Sequence, residues 1–218
     1  MQEPPHGDSA PGAGVHILGV GSTAFGPQAV GSFRSLLAEA VETALTDAGI
    51  EAAAVDEVHH ANFTGALTDA QNHQAPLVAD LVGGDVPAIR HENACASGGF
   101  AMWSAVRAIR SGAAEIVLVT GVEHLSPLST DEVTTALAMA ADELYEVRNG
   151  LTFPGAYALM ARSYISAFDP PDPRKALSSI AVKNHAHASV NPLAHFQSTV
   201  DLQTAMEAPM VADPLNLY

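Results

Sequence analysis

A strand–helix–strand pattern in the middle of the chain constrains the fold more than any other feature. Residues 115–121, EIVLVTG, are a β-branched apolar run of the kind that is buried on both faces of a sheet. Apolar residues at three-to-four spacing predict a helix just before it, from Ala96 to Ser111. A further strand is predicted before that helix, from Pro87 to Asn93. Strands that alternate with helices favour a parallel or mixed α/β fold.

The N-terminal third extends this pattern. Residues 15–20, VHILGV, are predicted to form a buried strand. A helix with one apolar face is predicted from Phe33 to Ala48, and Gly49 stands where a helix C-cap belongs. Residues 56–62 then predict another strand, and residues 71–81 a short helix.

Beyond Ser126 the strand signals weaken and Ala-rich, polar segments dominate. We interpret residues 127–211 as a mostly helical region, with one helix around Arg174 to His187. The final residues, VADPLNLY, are apolar and predict either the start of a strand or one arm of a hairpin. The first residues, 1–14, are rich in proline and glycine and predict a flexible tail.

The charge balance excludes some classes of partner. The chain has 24 acidic and 9 basic residues, a formal net charge of −15. Nucleic acid binding needs a basic footprint, so it is not expected here. We find no secretory signal and no apolar run of the roughly 20 residues that a membrane helix needs. A single cysteine also suits a reducing compartment, so the expected location is the cytoplasm.

That cysteine, Cys95, lies between a predicted strand and a predicted helix, in the stretch HENACASGG. Small residues follow it, and backbone N–H groups at a helix N-terminus stabilise a thiolate and can bind an oxyanion. Strand, cysteine, small residues and helix is the general form of a nucleophile placed at a turn. The pattern alone leaves both a reactive thiol and an inert buried cysteine open.

The residues around Cys95 and the strand that follows resemble the thiolase superfamily. NACASGG followed by a helix and then EIVLVTGVEHLS is similar to the N-terminal half of a thiolase. GVGSTAFG, VDEVHHANFTG, LTFPGAYALMARSYI, IAVKNHAHASVNPLAHF and VADPL are similar to the sterol-carrier-protein-X-type branch. These motifs span nearly the whole chain from Val15 onward.

The resemblance implies a fold and a set of site residues. Residues 15–126 would be the N-terminal thiolase half-domain, with αβα layers, and 127–211 the loop domain that covers coenzyme A. Cys95 would be the residue that is acylated by the thioester substrate. Three residues would line the substrate pocket, namely Phe153, Gly155 and Ala156. The resemblance implies acyl-CoA and CoA as substrates, with no permanently bound cofactor and no metal.

The sequence departs from the family because it contains only the first half. The NEA, GHP and CxG motifs that supply the family's other catalytic groups are missing. Claisen chemistry needs a base and an acid, so Cys95 cannot act alone. By context His124 and His185 are the candidates to replace the missing base, although a surface role is the alternative. His16, His59 and His60 lie on predicted strands, where packing or exposure at a sheet edge explains them without chemistry. Trp103 and the methionines are predicted to be core residues.

Three functions remain open from the sequence. In the first, the chain is the nucleophile-bearing subunit of a split thiolase-like enzyme, and residues 212–218 begin the link to a missing C-terminal half on another polypeptide. In the second, it is a non-catalytic scaffold, and in the third a subunit of a thiolase-like retro-aldolase. The family resemblance also implies self-association through the strand at 87–93, with dimer contacts at His91, Glu92 and Asn93, which gives a heterotetramer with the partner.

Overall fold

The fold is built around a short parallel sheet, as seen in a computed structural model that describes residues 14–26 and 31–218. The predicted N-terminal tail, 1–14, lies outside the described residues except for Gly14. The helices and strands follow the chain in this order: α1 (Phe33–Ala48), β1 (Glu57–Ala61), α2 (Gly65–Thr68), α3 (Ala75–Ala79), β2 (Ala88–His91), α4 (Ser97–Arg110), β3 (Val117–Gly121), α5 (Thr130–Ala138), α6 (Phe153–Phe168), α7 (Pro173–Ala188), α8 (Leu202–Glu207), β4 (Met210–Ala212) and β5 (Leu215–Asn216).

The chain divides into two compact units, which we describe separately. The first consists of residues 14–21 with Leu37–Phe63 and Asn72–Val122. The second consists of the described residues of Ser22–Leu36, together with Thr64–Gln71 and Glu123–Tyr218. The sheet and Cys95 belong to the first unit, and helices α5 to α8 belong to the second.

The sheet of the first unit has the strand order β2-β1-β3, and both pairings are parallel. Its central strand is buried on both faces, because Val58 and His60 point to one side and His59 and Ala61 to the other, and all four are buried. The three strands predicted within 56–62, 87–93 and 115–121 are confirmed.

Helices cover both faces of this sheet. Gln74, at the start of α3, bonds to His60, whereas Phe100 of α4 contacts the ring of His91. His60 is in register with Arg90, the residue before His91, so the two contacts lie on opposite faces. The predicted α/β class with αβα layering is therefore confirmed.

Strand β3 differs from its prediction in burial. It lies at the edge of the sheet, where only Leu118 is fully buried and Val117 and Val119 are half-buried. The prediction that β3 is buried on both faces is wrong for this chain. The apolar run led us to expect that β3 is the central strand, but β1 is the central strand and β3 lies beside it at the edge.

The predicted strand at residues 15–20 is also wrong. This segment is irregular, and Ile17, Leu18 and Val20 are exposed. It lies against α1, where the Val20 N–H donates to the Asp47 carboxylate at 2.8 Å. Glycine permits this contact, since a Cβ on Gly21 would fall 2.1 Å from the Ala40 carbonyl oxygen. The segment's apolar residues therefore do not enter the sheet.

Helix α4 begins at Ser97 and turns its small residues toward the sheet. Ala101 and Ala105 are buried, while Trp103 is 52% exposed. Trp103 lies two positions from each of those alanines and therefore on the opposite side of the helix. The prediction that Trp103 and the methionines are core residues is wrong: Met102, Met139, Met160 and Met210 are exposed, and Met206 is half-buried.

The second unit is mostly helical, as the weak strand signals beyond Ser126 predicted. Its helices begin at polar caps. The side chains of Ser129 and Glu132 form a capping box at α5, and Thr152, Asp172 and Asp201 cap α6, α7 and α8 by accepting backbone N–H bonds. These caps satisfy N–H groups that a helix leaves unpaired at its start.

The described chain ends in a small antiparallel pair, β4 and β5, which matches the hairpin alternative for VADPLNLY. The Asn216 side chain donates to the carbonyl groups of Ala205 and Met206 and so ties β5 to α8. Within residues 14–26 and 31–218, no helix has the length and apolar character needed to cross a membrane.

Candidate active site

Cys95 lies on the short turn that connects strand β2 of the sheet to helix α4. Strand β2 ends at His91, a single 3-10 turn covers Ala94–Ala96, and α4 starts at Ser97. The Cys95 thiol is exposed. The predicted location between a strand and a helix is therefore correct, and Cys95 is not the buried residue of the alternative interpretation.

Hydrogen bonds hold this turn in one conformation. The buried hydroxyl of Ser97 donates to the Ala94 carbonyl at 2.7 Å and accepts the Asn93 N–H at 2.8 Å. The Glu92 carboxylate accepts the Ala94 N–H at 2.7 Å. Ala94 has a φ of 45°, a left-handed conformation that costs a non-glycine residue about 1 kcal/mol or more. The side chains around the turn thus stabilise a backbone shape that the chain would not otherwise prefer.

The first turn of α4 is open above the backbone. A Cβ built on Gly98 or on Gly99 would meet no atom within 4 Å. The dipole of a helix favours negative charge, such as that of an oxyanion, near its N-terminus. The small residues after Cys95 therefore leave a substrate carbonyl free to approach the sulfur and the helix end.

Two histidines lie behind this turn. His59 of β1 is buried, and its Nδ1 is 2.7 Å from Nε2 of His91, with the two rings stacked at 15°. Glu57 Oε1 lies 3.1 Å from His59 Nε2. Burial lowers the pKa of His91, the neighbouring charge of His59 lowers it further, and Glu57 acts in the opposite direction. The expectation that packing explains His59 is met, but its hydrogen bond to His91 was not foreseen.

A second network joins the carboxyl ends of the three strands. The Arg90 guanidinium donates to the carbonyl groups of Asn62 and Phe63 and to Asn62 Oδ1, at 3.1 to 3.3 Å. Asn62 in turn donates from Nδ2 to the Val122 carbonyl at 2.7 Å. Strands β2, β1 and β3 are thereby tied together at the edge from which the Cys95 turn leaves the sheet.

The residues predicted as dimer contacts differ in their surroundings. His91 is half-buried and bonded within the chain, whereas Glu92 and Asn93 are exposed. Glu92 and Asn93 also take part in the hydrogen bonds of the Cys95 turn. Each of the three therefore has a role inside the chain, and their contact with a second copy stays a prediction.

The predicted pocket residues form the first turn of α6, in the second unit. Phe153, Gly155 and Ala156 are half-buried, and the Gly155 N–H donates to the Thr152 hydroxyl at 3.3 Å. The rings of Phe153 and Tyr157 are tilted, with centroids 6.3 Å apart. This turn presents aromatic and small residues together, which is compatible with an acyl or pantetheine contact.

The two histidines considered as replacement bases also belong to the second unit. His124 Nδ1 lies 2.8 Å from Asp69, whose other carboxylate oxygen accepts from the Thr68 hydroxyl. His185 Nδ1 lies 3.0 Å from the Ser198 carbonyl oxygen. Both are half-buried and contact specific partners, and their role as replacement bases stays a prediction.

No group of three or more His, Cys, Asp or Glu side chains is placed to hold a metal ion in the part of the chain that the structure describes. The described functional groups are a thiol, histidines and carboxylates, which suit covalent and acid–base chemistry.

The chain belongs to the thiolase family, because the model of the thiolase N-terminal domain matches residues 15–218. It is 39% identical to an acetyl-CoA acetyltransferase of Methanothermobacter thermautotrophicus over 93% of this chain and 52% of that protein. It is 32% identical to the benzoylsuccinyl-CoA thiolase subunit BbsB of Thauera aromatica, over 93% of this chain and 51% of that protein.

More distant matches add two further names. Sterol carrier protein 2 of Gallus gallus is 27% identical over 93% of this chain and 38% of that protein. Among solved structures, the Ltp2-ChsH2(DUF35) aldolase superposes with a TM-score of 0.71 at 25% identity, covering 92% of this chain and 50% of that one. The chain thus spans about half the length of the acetyltransferase and thiolase-subunit relatives it matches.

Proposed function

We propose that this chain is the nucleophile-bearing half of a thiolase-like acyltransferase that acts on acyl-CoA. The observation that carries the proposal is the exposed thiol of Cys95 on a hydrogen-bonded turn at the start of α4. The small residues that follow Cys95 leave the first turn of α4 open to an approaching thioester. The names of the relatives, acetyl-CoA acetyltransferase and thiolase subunit, support acyl transfer as the reaction class.

In the proposed reaction the Cys95 thiolate attacks the 3-keto carbon of a 3-oxoacyl-CoA. The resulting alkoxide collapses, the bond between carbons 2 and 3 breaks, and acetyl-CoA leaves after protonation at carbon 2. The acyl group remains on Cys95 as a thioester, and the thiol of a second CoA then removes it. Run in reverse, the same steps form a carbon–carbon bond by Claisen condensation. CoA enters as a substrate, with no permanently bound cofactor.

A C-terminal thiolase half on a separate polypeptide is proposed to complete the site. This chain has no NEA, GHP or CxG motif, so the base and acid that the chemistry needs must come from elsewhere. An apolar surface is available for the contact, since Phe100, Met102 and Trp103 of α4 are all between 44% and 52% exposed. These residues lie on the helix that carries Cys95 at its start.

Finer features of the proposal follow the family resemblance. We place the chain in the sterol-carrier-protein-X-type branch, supported by its match to sterol carrier protein 2. Residues 127–211 are proposed to cover CoA, with Phe153, Gly155 and Ala156 lining the acyl or pantetheine pocket. Two copies are proposed to pair through the β2 edge, where Ile89 is 45% exposed, which gives a heterotetramer in the cytoplasm.

A retro-aldolase subunit is the second candidate function. It is favoured by the structural match to the Ltp2-ChsH2(DUF35) aldolase. A retro-aldol cleavage needs no acylated cysteine, so the two reactions differ in their dependence on Cys95. The third possibility, a scaffold without catalytic function, has no need for an exposed thiol.

Turnover by the full chain mixed with a C-terminal thiolase half separates these functions. We expect thiolysis of acetoacetyl-CoA in the presence of CoA, and a loss of that activity in Cys95→Ala. Ser111→Ala, at the other end of α4, serves as a control that leaves the site intact. Cleavage of a β-hydroxyacyl-CoA that survives Cys95→Ala would support the aldolase, and a stable complex without either activity would support the scaffold.

A further inference from the structure

Four aromatic rings connect the central strand to α4, the helix that follows the Cys95 turn. The ring centroids of His59 and His91 are 4.9 Å apart, those of His91 and Phe100 are 6.1 Å apart, and those of Phe100 and Trp103 are 5.2 Å apart. We call these four residues the ring ladder. Because each ring contacts the next, a displacement of His91 is transmitted to the exposed face of α4.

The histidines of the ring ladder can hold only a limited number of protons. His59 Nδ1 and His91 Nε2 are 2.7 Å apart, so one nitrogen must donate and the other must accept. Two neutral imidazoles carry two N–H protons and keep this hydrogen bond. One added proton, on either ring, also keeps it. With four N–H protons two donors would face each other, and the hydrogen bond would be lost.

One carboxylate faces the pair, and the other charged or polar groups of the neighbouring elements lie further away or on the opposite face of the sheet. Glu57, on the same strand as His59, places a carboxylate oxygen 3.1 Å from His59 Nε2, although the two atoms do not have the geometry of a hydrogen bond. On α4 the Arg107 guanidinium lies 4.6 Å from the Trp103 ring centroid, at the far end of the ladder from the histidine pair. From α3 the residue that reaches the sheet is the neutral Gln74, on the opposite face at His60. From β2, Arg90 also lies on the opposite face, bonded at Asn62.

His91 is placed to transmit its position to the nucleophile. It is the last residue of β2, and the next two residues carry contacts that shape the Cys95 turn. These contacts are the Glu92 carboxylate to the Ala94 N–H and the Asn93 N–H to the Ser97 hydroxyl. A shift of His91 therefore moves the first anchoring points of the turn.

We propose that His59 and His91 are a positioning pair for Cys95, which holds the turn while the pair carries at most one positive charge and releases it on a second protonation. The proposal deepens the proposed function, because it rests on Cys95 as the nucleophile. The proton-dependent geometry itself does not require any acyl transfer, so it can be tested without a substrate.

Isosteric amides separate the hydrogen bond from its titration. In His59→Asn the side-chain oxygen takes the place of Nδ1 and accepts from His91. In His91→Gln the side-chain amide takes the place of Nε2 and donates to His59. Both variants keep the contact between the two positions, and neither can take up two charges. His187→Gln, an exposed position on α7, is the matched control.

Two readouts follow the turn as the pH falls from about 8 to about 4.5, across the range in which histidine pairs titrate. The first is the fluorescence of Trp103, the one tryptophan of the chain and the last ring of the ladder. The second is the rate at which dithiodipyridine modifies Cys95 in the full chain, divided by the rate in urea-unfolded chain at the same pH. A turn that is released should bring this ratio toward one.

In the wild type and in His187→Gln we expect a reversible change of both readouts, with a midpoint below the ordinary histidine value of about 6.5. In His59→Asn and His91→Gln we expect both readouts to keep their values from neutral pH through this range. A pH step that persists in both amide variants, or the absence of a step in the wild type, would overturn the proposal.

The proposed function can fail independently of this inference. If Cys95 is never acylated but the pH step is present and disappears in the amide variants, the positioning pair stands and the acyl transfer fails. If Cys95 is acylated and the step is unchanged in the amide variants, the reverse holds.

Discussion

Replacing Ser97 by alanine should loosen the turn that carries Cys95. The buried Ser97 hydroxyl makes two hydrogen bonds, of 2.7 and 2.8 Å, to the backbone of Ala94 and Asn93. At about 1 kcal/mol for each bond, Ser97→Ala should lower the free energy of unfolding by about 2 kcal/mol. The loss should also relax Ala94, whose φ of 45° is retained by the surrounding contacts.

Urea denaturation followed by Trp103 fluorescence measures this change. With an m-value of about 2 kcal/mol/M, the midpoint should fall by about 1 M. Ser111→Ala is the matched control, because its hydroxyl makes one exposed bond to Ala108 at the other end of the same helix. Its effect should stay within about 0.5 kcal/mol. Equal midpoints for the two variants would refute the idea that Ser97 holds the turn.

Three further changes test other parts of the first unit. Arg90→Met should lower the free energy of unfolding by about 3 kcal/mol in urea melts, because it removes the charged donor that joins the strand ends, and Arg90→Lys should recover only part of the loss. Gly21→Ala should lower the free energy of unfolding by about 2 kcal/mol, because its Cβ would lie 2.1 Å from the Ala40 carbonyl oxygen. Gly98→Ala, whose Cβ would point into open space, should leave the stability nearly unchanged. Equal melting temperatures for the two variants would contradict this prediction. Backbone N–H groups of Ile116 and Glu115 lower the pKa of Asp56. The Asp56 carboxylate therefore stabilises the fold above about pH 3.9, and this stabilisation is lost as the pH falls through the lowered pKa. The stability of Asp56→Asn should lack this loss in an acid titration, and the same acid dependence as in the wild type would contradict the prediction.

Local patterns were sufficient to predict most of the sheet strands, the longer helices and the location of Cys95. Apolar spacing identified α1 and α4, and β-branched or alternating runs identified β1 and β3, because burial on one face imposes these periods on the sequence. The thiol at the junction of β2 and α4 followed from the same elements. These features depend on residues that are close together along the chain.

The contacts that required strand order could not be predicted in this way. His59 and His91 are far apart in sequence, and they meet only because β2 lies beside β1 in a register that places Ala61 opposite His91. The Arg90 contact with Asn62 has the same origin. Once the strand order β2-β1-β3 and the register are known, His59 and His91 fall on the same face of the sheet, and their contact could have been predicted.

Apolar composition misled the prediction in two places. The run VHILGV has the residues of a strand, but Gly19 and Gly21 allow it to lie against α1 instead. Trp103 is a large hydrophobic residue of the kind often found in a core, but the alanines on the other side of α4 form the buried face of the helix. In both cases hydrophobicity predicted burial, while side-chain size decided which surface could pack closely.

The most direct test of the central claim is the intact mass of the full chain after incubation with acetoacetyl-CoA, in the presence of a C-terminal thiolase half. We expect a single acetyl adduct that peptide mapping locates on Cys95, that CoA removes, and that Cys95→Ala does not form. An unmodified Cys95 in a stable complex that still cleaves a substrate would contradict the claim that this residue carries the acyl group.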